Sequence, residues 1–251
     1  MSSLAVACIV FACVFTGALL GMFFRTLVPE KHLSSDTQDI VKLGIALIAT
    51  MAALVLGLLV ASAKSTYDTR RTQLLQVSAD IILLDRVLAN YGPETQDARV
   101  MLQRSVAAVL EQFWPPNRRR PVAIDRKASS VESVYDSIQR LVPHSDAQRS
   151  LQAQALTIAF DLGRTRVLLF EQLDSSIPLP FLVVLVFWLA VIFVSFGLFA
   201  PRNGIVTVAF FVCALSVSGA IFLILELDRS FDGMLQVSSA PLRSALAQLG
   251  Q

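Results

Sequence analysis

Residues 179–200 read LPFLVVLVFWLAVIFVSFGLFA and residues 205–225 read IVTVAFFVCALSVSGAIFLIL, with no charged residue in either run. A helix rises about 1.5 Å per residue, so about 20 apolar residues cross a hydrocarbon core. Only Pro201-Arg202-Asn203-Gly204 separates the two runs, which is room for a tight turn, so they pair as a hairpin. Working outward, two further charge-free runs occupy residues 4–24 and 43–63. The chain therefore reads as an all-α integral membrane protein with four transmembrane helices, arranged as two hairpins that flank a helical region. The divisions are a first hairpin at 1–63, an insert at 64–178, a second hairpin at 179–225 and a tail at 226–251.

Composition supports this reading. Of 251 residues 55% are hydrophobic and 16% charged, against about 25% charged in soluble domains. The insert holds 15 Lys/Arg against 13 Asp/Glu, a balance that gives no footing for nucleic acid. Cys8, Cys13 and Cys213 all fall in apolar runs, where they act as small hydrophobes. His32 and His144 have no Cys or Glu at ligand spacing, so neither a metal nor a cofactor is expected. Met1-Ser2-Ser3 offers no positive n-region and the run behind it exceeds a signal-peptide core, so the first run is expected to stay as a transmembrane helix.

An even number of spans puts both termini, the insert and the tail on one side. Near the span ends that side carries Lys64, Arg70, Arg71, Arg164, Arg166, Arg229 and Arg243, while the other carries Arg25, Lys31, Lys42 and Arg202. The richer side is expected to be cytoplasmic.

The insert has helical periodicity on either side of an exposed linker over Pro115–Lys127. Apolar residues at 74, 77, 81, 84 and 88 form a stripe that Gly92-Pro93 ends, with Glu94 opening a second helix through Leu102, Val106, Val109 and Phe113. A short helix over 129–141 and a long one over 146–173 follow, and the long outer helices of the insert are expected to continue the second and third spans. Asp85 falls on the apolar stripe, where a carboxylate needs a basic partner from another helix; Arg164 and Arg166 are the candidates. Arg118-Arg119-Arg120, without interleaved aromatics, reads as a solvated loop.

Within the spans, Gly17-x-x-x-Gly21 and the four-residue series Ala49, Ala53, Gly57, Ala61 let neighbouring backbones approach closely. The second series also makes Ala49, Thr50, Ala53, Gly57 and Ala61 pore-lining candidates if copies of this span surround an axis. No ionisable residue sits inside a span, which argues against proton-coupled transport and is compatible with a hydrophobically gated channel. Arg70 and Arg71, just past the second span, are candidates for drawing anions to a vestibule. Where the fourth span ends, Glu226, Asp228, Arg229 and Asp232 cluster, and the tail then forms a short amphipathic helix with Ser239 as N-cap and Pro241 in its first turn; the bland reading is an interfacial anchor and the sharper one an acidic cation-binding ring. No nucleophile–base pair or Gly-rich phosphate loop is present, which sets enzymes aside.

Three stretches carry a family resemblance. They are Leu84-Asp85-Arg86-x-Leu88-Ala89-x-Tyr91-Gly92-Pro93-Glu94; Phe187-Trp188-Leu189 through Phe196-Gly197-Leu198-Phe199-Ala200-Pro201-Arg202-Asn203; and Leu225-Glu226-Leu227-Asp228-Arg229-x-Phe231-x-Gly233 followed by Val237-Ser238-Ser239-x-Pro241-Leu242. In these the chain resembles the bestrophin-like family of small bacterial membrane proteins, with Ser230 departing from an expected proline. The resemblance implies similarity to bestrophins, which are pentameric anion channels with a helical cytosolic region, and a place in the bacterial inner membrane. Their aromatic neck has no counterpart, since residues 43–63 contain no Phe, Tyr or Trp. The expectation is a homo-oligomer, with a pentamer as first guess, passing small anions through an axial pore in the lipid bilayer. The alternative is a non-conducting scaffold or sensor whose insert binds a cytoplasmic partner.

Overall fold

The computed structural model describes residues 2–26, 35–115, 130–173, 179–201, 203–229 and 236–250. Among them the regular structure is helical, with no strand: α1 (Ser3–Phe24), α2 (Ser35–Tyr91), a 3-10 turn (Pro93–Thr95), α3 (Gln96–Phe113), α4 (Ser130–Gln139), α5 (Asp146–Leu173), α6 (Leu179–Phe199), α7 (Gly204–Asp228) and α8 (Ala240–Gln248). Four of the described helices, α1, α2, α6 and α7, are long and apolar enough to cross a membrane.

Helix α2 runs for 57 residues without a break. After Gly57 the next glycine or proline is the Gly92-Pro93 pair, so nothing stops the helix at the apolar-to-polar boundary near Lys64. The expected continuation of the second apolar run into the polar stretch as one helix is what forms. The matching expectation for the third span falls on residues 174–178, outside the described residues, as do Arg118–Arg120, Lys31, His32, Arg202, Ser230, Phe231, Asp232 and Gly233.

The chain divides into two compact units, Met1–Tyr67 with Ser176–Leu235, and Asp68–Ser175 with Gln236–Gln251. In the first, α1 packs along α6 and against α7. The glycines explain how close α1 and α6 come. A Cβ on Gly21 would run into the Val194 carbonyl oxygen, and one on Gly197 into the Ala18 carbonyl oxygen. Gly17 is less tight, with Val194 Cγ2 3.3 Å from where its Cβ would be. The spacing of Gly17 and Gly21 is thus used inside the subunit. Phe211 of α7 meets Phe11 and Phe15 of α1 edge-on at 5.3 and 5.7 Å, an arrangement the ring quadrupoles favour. The Arg25 guanidinium donates to the Ala200 carbonyl, satisfying an orphan acceptor at the end of α6 with a positive charge.

The second unit has its own core. Leu84 and Leu88 of α2, Leu102 and Val106 of α3, Val134 and Ile138 of α4, and Ala155 and Leu162 of α5 are buried together. Leu242, Ala245 and Leu249 of α8 belong to the same core, and α8 packs on α3. This corrects the reading of the tail as an interfacial anchor. Its apolar face is already covered by protein, and the Trp114 indole donates to the Val237 carbonyl at 3.1 Å just ahead of the helix. Ser239 takes the N-cap position with Pro241 in the first turn, as expected, but its side chain makes no capping bond; the Ala240 amide donates to Ser238 Oγ at 3.2 Å.

Gly21→Ala is expected to destabilise the first unit by about 1–3 kcal/mol, since the α1 and α6 backbones must separate. Gly57→Ala, where an added Cβ meets nothing within 4 Å, is expected to leave it unchanged. Thermal unfolding of the detergent-solubilised protein compares the two.

Candidate functional site

Two sets of residues bear on function: one face of α2 in the first unit, and the corner between α2 and α3 in the second. On α2, Ile45, Ala52, Leu59 and Ala63 enter the core of the first unit. Thr50, Ala53, Gly57 and Ala61 point elsewhere and are exposed, and Ala49 is half-buried. Unlike Gly21 and Gly197, Gly57 has no neighbour in its own subunit to approach. The Thr50 hydroxyl donates to the Ala46 carbonyl at 2.8 Å, so its proton is engaged in its own helix. To coordinate an anion it must rotate away from that bond.

The two vestibule candidates differ. Arg71 is exposed, whereas Arg70 is only 2% exposed. A guanidinium buried to that degree offers little charge to passing ions, so within the subunit Arg71 is the accessible one. In the first unit, Glu226 is buried, Asp228 half-buried and Arg229 exposed in the last turns of α7. No group of three or more potential metal-ligating side chains occurs among the described residues. Pro201 and Asn203 are exposed, and the Asn203 carbonyl accepts from the Val206 and Thr207 amides at 3.0 and 3.2 Å to start α7.

The corner explains the residues that the sequence marks between 84 and 95. Asp85, 5% exposed, accepts from Arg99 Nε at 2.7 Å and from Arg99 Nη2 at 2.9 Å, a two-pronged pair between α2 and α3. The Gly250 amide adds a longer contact of 3.4 Å to the same carboxylate. Asp85 does take a partner from another helix, but it is Arg99; neither Arg164 nor Arg166 is that partner. The pair's hydrogen bonds hold the Arg99 proton more tightly than usual, with burial opposing and the Asp85 charge assisting.

Gly92 has φ +138°, a conformation that side chains rarely tolerate, and an added Cβ would meet Glu94 Oε2 at 2.5 Å. Pro93 then starts the 3-10 turn. The Thr95 hydroxyl lies 2.6 Å from the Leu88 carbonyl and 2.8 Å from that of Gly92, capping the end of α2. From α5, Gln148 Nε2 donates to the Tyr91 carbonyl at 3.1 Å while its Oε1 accepts the His144 amide at 2.8 Å. Gln152 does the same for α4, donating to the Ile138 and Leu141 carbonyls, each at 2.9 Å. Sequence reading missed Arg99, Thr95, Gln148 and Gln152; only Arg99 had a signal, its position seven residues after Gly92 mirroring Asp85 seven before. Tyr91 is buried, and burial followed by the Glu94 charge pushes its phenol above the ordinary value of 10.0. Arg86 and Glu94 are exposed. The corner is built from a buried pair, a glycine turn and capped helix ends, and it holds α2, α3, α5 and the tail in register.

Among the described residues of this unit, Asp80 is a perturbed carboxyl. Burial raises it above 3.8, the hydrogen bond from Gln76 Nε2 at 2.9 Å opposes, and the charge of Asp161 on α5 adds to the rise. A raised carboxyl binds its proton more tightly in the folded state. The resulting stability is complete below the unfolded value near 3.8 and is lost as pH rises through the folded one.

Arg99→Ala is expected to cost about 3–5 kcal/mol in chemical denaturation, because it strands a buried carboxylate. Asp80→Asn is expected to raise the melting temperature by a few degrees at pH 7, with the gain vanishing below the ordinary carboxylate range; a pH series of thermal melts reads both limbs.

No curated protein and no solved structure matches the chain. The family model of the bestrophin-like domain matches residues 12–242, taking in the latter half of α1, all of α2 to α7 and the α2–α3 corner. With nearly its whole length covered by that match, the chain belongs to the bestrophin-like family.

Proposed function

We propose that this protein is an ion channel of the bacterial inner membrane that passes small anions passively through an axial pore formed by several copies. In this reading α1, the apolar part of α2, α6 and α7 span the bilayer, and both termini and the insert are cytoplasmic, on the side richer in Lys and Arg. The observation that carries it is the contrast between two small-residue series. Gly17 and Gly21 lie against α6, whereas Thr50, Ala53, Gly57 and Ala61 are exposed, Gly57 has nothing within 4 Å of an added Cβ, and only Ala49 at the start of the series is half-buried against the core.

A ring of copies, with five as the first guess, turns that face inward and leaves a narrow, largely apolar path. Such a path gates by wetting and drying and needs no charge within it. Arg71, ten residues beyond Ala61 on the same helix, raises the local anion concentration, and a ring multiplies its effect.

The non-conducting scaffold keeps two supporting observations. The engaged Thr50 proton and the lack of any aromatic residue over 43–63 leave the path without an anion ligand in its resting state.

Native mass spectrometry from lipid nanodiscs is expected to give a ring of five, and liposomes holding the protein are expected to pass chloride. Arg71→Glu is expected to cut the chloride flux several-fold or invert selectivity. Gly57→Leu is expected to lower flux without lowering the subunit's stability. A monomer or dimer leaves no axis and returns the reading to the scaffold.

A further inference from the structure

In the first unit, residues from the start of α2's apolar stretch and from the end of α6 wall a common cleft. The cleft between them is open and measures about 410 Å³, walled by Ile45, Ala46, Ala49, Phe196, Phe199 and Ala200. Its walls are almost wholly apolar, and among the described residues that line it Lys42 is the cation. A second cation stands at the same end, because the Arg25 guanidinium is bonded to the carbonyl of the lining residue Ala200. From Lys42 to Ala49 the wall follows α2 for about 10 Å. The cleft is thus polar and basic at the end of α2's apolar stretch and apolar along its depth.

Neither cation is committed to the fold in a way that bars a ligand. Lys42 Nζ pairs with Asp39 at 3.2 Å, but both side chains are more than half exposed, and such surface pairs contribute little. Arg25 uses one N–H on Ala200, and a guanidinium has five. A phosphodiester is an acceptor-only anion that both groups can bind. A zwitterionic headgroup presents the same phosphate with an ammonium attached, which the two cations repel.

Resting on the membrane placement proposed above, we propose that this cleft holds one anionic phospholipid per subunit, its phosphate on Lys42 and Arg25 and the upper part of one acyl chain between Ala46, Ala49, Phe196 and Phe199. Bulk lipid covers an apolar groove without choosing among headgroups; basic residues at the groove's mouth make the choice. Ala46 and Ala49 keep the wall low on one side, and the two phenylalanines form the opposite side.

The test uses the full chain in nanodiscs with equal amounts of phosphatidylglycerol and phosphatidylcholine, read by native mass spectrometry of retained lipid. One phosphatidylglycerol per subunit, held at least about tenfold over phosphatidylcholine, is the expected result. Lys42→Glu, a change at an exposed side chain, is expected to abolish that preference. Ala46→Trp is expected to fill the cleft and lose the retained lipid with the subunit count unchanged. Equal retention of the two lipids, or an unaltered preference in Lys42→Glu, overturns the proposal. So does efficient disulfide formation between copies carrying Ala46→Cys, which means that a second subunit covers the cleft. Release of the chain from membranes by alkaline carbonate overturns the membrane placement together with the lipid site, whereas retention without lipid preference overturns the site alone.

Discussion

Helix α2 belongs to both units of this chain, and each unit buries a different kind of stripe on it. In the apolar half, Ile45, Ala52, Leu59 and Ala63 recur at intervals of seven, seven and four, a narrow seam. In the polar half, Leu74, Ser78, Ile81, Leu84, Asp85, Val87, Leu88 and Tyr91 are all buried, a denser face. The difference follows from solvent. A helix in water must hide its apolar side chains in protein, whereas under the proposed placement lipid covers Leu43, Leu47, Leu54 and Leu58, which are all more than 60% exposed in the subunit. The narrow seam leaves the small-residue face over for a second role.

The dense face brings a cost of its own, a buried carboxylate. An ionised group at 5% exposure survives only if its partners are well placed, and Asp85 has a two-pronged guanidinium and a tail amide. Buried pairs add little net stability against apolar replacements, but removing either member is costly, so they act as registry marks. Here the mark aligns α2 with α3 across a turn that only glycine makes comfortably at Gly92. The tail joins the same arrangement through Gly250 and through Trp114 on Val237, so its amphipathic helix completes a protein core and has no apolar face left for a membrane surface.

The same small-residue spacing therefore has two outcomes in one chain. Where another backbone is within reach, as for Gly21 and Gly197, it gives a contact so tight that no Cβ fits. Where none is, as for Gly57, it leaves a smooth surface. Charge is divided in a similar way. Neighbouring arginines on α2 differ by burial, so one belongs to the interior of its unit and the other to the solvent.

The sequence by itself determined the elements. Four uncharged runs of membrane-spanning length, the stop at Gly92-Pro93 and the apolar period of the insert specify the helices, because length, charge and periodicity are local properties that need no knowledge of neighbours. It also carried the family, through motif residues that turned out to build a corner. Only the tertiary structure decided which partner Asp85 takes, that Arg70 is buried, that α8 closes a core, and which small-residue series is spent within the subunit. Each of these depends on which helix lies against which. An amphipathic stripe says that a face will be covered, not by what, and a glycine permits a close approach without supplying the neighbour that makes it.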